Sequence, residues 1–144
     1  MAENNEIVLS SGAKLIITMA PFEDADDLQK AVIHAFLAVG GKEKDLTNSD
    51  MLTIILTCAA SKEVTKALFK CGERAVYCPD GTSESSMPVS KSMFDLPKVG
   101  EKAREDYYPI LSEIGKVNLK PFWTALCSVL KTMYGLNIVS PEQK

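Results

Sequence analysis

The chain has 144 residues, near the commonest domain size, so a core can form without metals or disulfides and one globular domain over 1–136 is expected. A hydrophobic fraction of 46% and a charged fraction of 24% exclude a largely disordered chain. Net charge is -3 with no lysine or arginine cluster, which argues against a nucleic-acid partner.

From the N-terminus, Ile7 to Leu9 and Leu15 to Ile17 are β-prone runs around Ser10, Ser11 and Gly12, which predicts a hairpin over 6–19. Two strands alone are marginal in water, so the hairpin must pack on helices or pair with further strands, and it is a candidate assembly edge. Helices then fill 23–135. Pro21 closes the hairpin, and Glu23, Asp24, Asp26 and Asp27 suit the positive end of a helix running to Val39. Its apolar stripe is Ala25, Leu28, Val32, Ala35, Phe36 and Val39, stopped by Gly40 and Gly41.

Asn48, Ser49 and Asp50 can cap a second helix, Met51 to Ala60, that is apolar on nearly every side and therefore central. This run is also the longest dense apolar stretch, at about half the length that crosses a bilayer, so no membrane partner is expected. Val64, Ala67, Leu68 and Cys71 mark a third stripe, and Ser61 either caps a new helix or lies within a continuing one. Ala75 to Cys78 reads equally as a last helical turn or a short strand. The serine-rich stretch 79–92 is expected to be a flexible loop with little apolar surface to bury.

A further helix begins near Lys98, with a kink or break predicted at Pro109. Asn118 to Pro121 is a short connection into a last helix carrying Phe122, Leu126, Val129, Leu130 and Met133, and 137–144 is a fraying tail. The expected fold class is mainly α within α+β, a domain of roughly five helices with an N-terminal β-hairpin.

No catalytic, cofactor or metal motif stands out. Cys58, Cys71, Cys78 and Cys127 form no CxxC pair and have no companion histidine at finger spacing, so thiols in a reducing compartment are expected rather than zinc ligands or disulfides. His34 reads as a partly buried structural histidine on the first helix, and the acidic run after Pro21 lacks the glycine and distal glutamate of a calcium loop. Neither GxGxxG, GxxxxGK nor GxSxG is present. Among the aromatics, Phe94 beyond the polar loop and Trp123 after Pro121 are the candidate protein-interaction residues. Met1 to Ser10 does not have the charged-then-apolar form of a secretion signal, so a cytoplasmic location is expected.

Two stretches carry a likeness. In "GAKLIITMAPFEDADDLQKAV" a strand passes through a Pro-Phe step into an amphipathic helix, and in "MFDLPKVGEKAREDYYPILSEIGKVNLKPFWTAL" an Arg-, Asp- and Tyr-rich helix leads through Asn-Leu-Lys-Pro-Phe into the last helix. Together they cover roughly half of the chain, and the order of features resembles the tail assembly chaperones of long-tailed bacteriophages and related prophages. The resemblance implies a small helical protein of the host bacterial cytoplasm that coats the tape measure protein, keeps it soluble and recruits tail tube subunits, with self-association and often a longer frameshifted product. It carries over no site residue. The alternatives are a regulatory or immunity-type protein binding one folded partner, and a small thiol-dependent enzyme using His34, Cys58 or Cys71.

Overall fold

The structure, a computed structural model, describes residues 4–38 and 51–134. The expected Gly40–Gly41 stop, the Asn48–Asp50 cap and the tail 137–144 lie outside these residues. Within them the fold is mainly helical α+β, with a small antiparallel sheet at its N-terminal side.

Strands β1 (Asn4–Val8) and β2 (Lys14–Thr18) form the hairpin, with Ile7 opposite Leu15 and Glu6 opposite Ile16. Its turn is closed by the Leu9 amide on the Ala13 carbonyl at 2.8 Å and the Gly12 amide on the Leu9 carbonyl at 2.9 Å. Gly12 sits at φ 93°, where a side chain would be strained. Leu15 and Ile17 are buried between half-buried neighbours, the period-2 signature of a sheet with one covered face.

The hairpin gains its further strands from within the chain. Strand β3 (Val76–Cys78) pairs with β2, Tyr77 opposite Leu15, and β4 (Met87–Pro88) pairs with β3, giving the order β1-β2-β3-β4. Ala75 to Cys78 is thus strand and not a helical turn. The stretch 79–92 is less bare than its composition suggests, since Met87 packs on the core and Val89 is buried with its amide on the Ala75 carbonyl at 3.0 Å. Apolar residues at i and i+2 around Pro88 suffice for a short edge strand, and proline is tolerated at an edge.

Helix α1 (Phe22–Ala38) buries Leu28, Val32, Ala35 and Phe36. Helix α2 (Met51–Cys58) buries Ile54, Ile55 and Cys58 as its apolar composition demands, but stops earlier than expected, in a turn at Ala59 and Ala60. Ser61 then starts a new helix, its hydroxyl accepting from the Val64 amide at 3.4 Å, and α3 spans Lys62–Cys71. After a 3-10 turn at Lys91–Asp95 come α4 (Val99–Glu105) and α5 (Tyr107–Leu119). A 3-10 turn at Lys120–Phe122 leads into α6 (Trp123–Tyr134).

The break forced by Pro109 falls at Asp106. A proline ring clashes with the carbonyl four residues back, so the helix must interrupt before Pro109 reaches an interior position. The Asp106 amide ends α4 on the Lys102 and Ala103 carbonyls, and the Asp106 carbonyl opens α5 by accepting from the Ile110 amide at 2.8 Å. Pro109 is left in the first turn, where its missing N–H costs nothing.

Asp106 is also the main buried polar tie between sheet and helices. Its carboxylate, in a residue 3% exposed, accepts from the Tyr77 hydroxyl at 2.5 Å and the Ser11 hydroxyl at 2.9 Å. Lys102 donates to the Ser11 carbonyl at 2.9 Å, so the hairpin turn is held from two successive helices. At the other end of β2 the Ala20 amide donates to the buried Asn118 side chain at 2.8 Å. Helix α5 runs through the middle, touching α1, α2, α3, α4 and β2.

Candidate protein-interaction site

A groove of about 680 Å3 lies between α1 and α3, walled on its third side by Val89, Ser90 and Lys91 after β4. The two helices run antiparallel, since the Cys71 thiol at the end of α3 meets the Asp24 carbonyl at the start of α1 (3.3 Å), while His34 near the end of α1 meets Glu63 at the start of α3 (3.1 Å). Val64, Leu68 and Cys71 make the buried contact beneath. Above them Ala31 and Ala67 are too small to close the gap, so a channel stays open with Phe69 and Val89 as its other apolar lining.

Charge lines the rim in both signs. Asp24, Asp27, Glu63 and Glu73 alternate with Lys30, Lys66, Lys70 and Lys91. Some of these are satisfied locally: Lys30 pairs with Asp26 at 2.8 Å, and Lys70 pairs with Glu73 at 3.1 Å. Donating to its carboxylate partner raises the pKa of each lysine, and the bond from Lys30 lowers that of Asp26. These pairs are exposed and contribute little stability. Lys91 instead lies over the Phe69 ring, 5.9 Å from its centroid, so its cation sits against the apolar floor.

Phe94 stands behind this floor. It is half-buried, edge-on to Phe69 at 6.0 Å and to Tyr107 at 5.5 Å, so it supports a groove residue and does not line the groove itself. Its carbonyl accepts from Arg104 Nε at 3.0 Å. Trp123, by contrast, is 1% exposed and belongs to the core, which leaves it unavailable to a partner in this fold. The 3-10 turn begun by Lys120 and Pro121 directs the indole inward, and it is Phe22, 72% exposed and 5.8 Å from the Phe122 ring, that remains at the surface.

Two residues of the thiol-enzyme alternative, His34 and Cys71, lie at opposite ends of the α1–α3 pair. His34 is exposed rather than partly buried, because its place on α1 faces outward beside Glu63. Cys71 is about ten α1 residues away, roughly 15 Å along the helix. Burial, followed by the charges of Asp24 and Asp27, pushes the Cys71 thiol up to about 12, the opposite of an activated nucleophile. The buried Cys58 thiol meets the Val32 carbonyl at 3.6 Å. Among the described residues no cluster of three or more His, Cys, Asp and Glu side chains could hold a metal ion, and no helix is long and apolar enough to cross a membrane.

Comparison with known proteins gives no match to a family model, a curated protein or a solved structure.

Proposed function

We propose that this chain is a non-catalytic protein-binding module, a tail assembly chaperone that holds the tape measure protein and recruits tail tube subunits. The observation that carries the reading is the groove between α1 and α3, where half-buried Ala67 and Phe69 are the accessible apolar lining over buried Ala31 and Val89, within a mixed-charge rim. Such a channel fits an amphipathic helix laid lengthwise, apolar face down, with its flanking charges meeting the rim. The likeness of the hairpin-to-helix and helix-to-helix stretches to tail assembly chaperones supports naming that partner class.

Co-expression tests it. A tape-measure fragment that aggregates alone stays soluble with the wild-type chain, and Ala67→Phe, which fills the groove, abolishes the rescue. An insoluble fragment beside the wild type, or equal rescue by Ala67→Phe, refutes the reading. Light scattering on the complex adds stoichiometry: many copies per partner mark a coat, and one or two mark a regulator of a single folded protein.

A further inference from the structure

A second surface, away from the groove, lies at the free edge of the sheet. β1 is terminal in the order β1-β2-β3-β4 and has no strand on its outer side among the described residues. The closed Leu9–Ala13 pair at the turn fixes the hydrogen-bonding phase of the hairpin: Ile7 with Leu15 and Asn5 with Ile17 are the bonded pairs. The backbone N–H and C=O of Glu6 and Val8 therefore point outward. Edges of this kind are normally blunted by lysine, proline or a bulge, and the β1 sequence NNEIV has no lysine or proline, with its one charge neutralised by Lys14.

The space beneath that edge is open. Asn5 and Ile7 share the face of Leu15 and Ile17, and under them is a cleft of about 440 Å3 reaching Met19, Val117 and Pro121, with Glu113, Lys116 and Lys120 around it. Ile7 and Val117 are only half-buried, and Met19 is 41% exposed. Glu113 reaches Lys116 at 3.7 Å, while Lys120 has no ion pair among the described residues, which leaves the cleft with surplus positive charge. We propose that the β1 edge and this cleft bind an extended segment of another protein in which apolar and acidic residues alternate. The segment adds a fifth strand on Glu6 and Val8, drops its apolar side chains between Ile7 and Val117, and sets its carboxylates near Lys116 and Lys120.

The test is fluorescence anisotropy with a labelled peptide of alternating valine and glutamate, and a valine–lysine peptide as control. The wild-type chain is expected to bind the first and not the second. Glu6→Pro deletes an outward N–H without touching the β2 ladder and should weaken binding roughly tenfold, whereas Glu6→Gln should not. Lys120→Glu should also weaken it, and the groove variant Ala67→Phe should leave it unchanged, so this surface and the groove fail separately. Equal binding of both peptides, no binding by the wild type, or unchanged affinity in Glu6→Pro overturns the proposal. If Glu6→Pro does not fold, unchanged affinity in Lys120→Glu overturns it alone.

Discussion

Tyr77→Phe probes the tie between sheet and helices. The Tyr77 ring is fully buried in the sheet, and its hydroxyl donates at 2.5 Å to Asp106 Oδ2, whose other donor is Ser11 at 2.9 Å. A hydrogen bond to a charged group contributes about 1.5–3 kcal/mol, and removing the donor leaves a buried carboxylate short of a partner, so the loss should fall in that range. For a domain of this length that corresponds to a fall in Tm of about 4–10 °C. Ser11→Ala, acting on the more exposed bond, should lose about 0.5–1.5 kcal/mol, and Tyr108→Phe, on a residue 56% exposed, should lie within about 0.5 kcal/mol of wild type.

Urea titration monitored by circular dichroism measures all three, and the double variant of Ser11 and Tyr77 should show coupling, because both donors share one oxygen. The same bond has a pH signature. Burial first, then the bond to Asp106, raises the Tyr77 pKa above its ordinary value, so the neutral form is favoured in the folded state. Its contribution is complete below about pH 10, where an unfolded tyrosine ionises, and is lost as pH rises beyond that. Tyr77→Phe should flatten the alkaline limb of the stability profile. A variant as stable as wild type, with an unchanged alkaline limb, would refute the assignment of Asp106 as the tie.

Three further perturbations follow from the packing. A Cβ on Gly100 would stand 2.7 Å from the Phe94 carbonyl oxygen, and one on Gly115 would stand 2.8 Å from Ile55 Cδ1, so both glycine-to-alanine changes should destabilise by about 1–3 kcal/mol despite the helical preference for alanine. Gly100 should be the worse, because backbone yields less than a side chain, and thermal melts rank them. Asn118→Ala strips the Ala20 amide of its acceptor and the Ile114 carbonyl of a donor, an expected loss of about 1–3 kcal/mol by urea titration. Cys71 should react with iodoacetamide at neutral pH only as fast as the chain unfolds, since burial holds its thiol up near 12. Its protonated form favours the folded state, so that contribution is whole below about pH 8.5 and drains away as pH rises toward about 12.

What the sequence made legible was periodic. The β-prone run Leu15 to Ile17 and the three-and-four spacing of Leu28, Val32, Ala35 and Phe36 lead directly to β2 and α1. Pro109 announced a break but not its place, because its clash falls on the preceding turn and the chain resolves it at Asp106, which also needed to face Tyr77 and Ser11. Trp123 was misleading for the same local reason: proximity to Pro121 suggested a surface position, yet the 3-10 turn rotates the indole into the core and leaves Phe22 outside.

The groove was illegible for a different cause. Its signals are an alanine on each of two helices and charges that each have an ordinary local explanation, Asp24 at a helix start and Lys70 beside Glu73. Two helices distant in sequence acquire a common concave face only when Cys71 meets Asp24 and His34 meets Glu63, and no periodicity in either segment encodes that meeting. Small residues read in a single sequence as helix formers become, across an antiparallel pair, the absence of a filling side chain. A substitution that enlarges Ala67 should therefore damage binding more than folding, since Ala67 is half-buried and lines the channel, whereas Val64, Leu68 and Cys71 are the buried residues of α3.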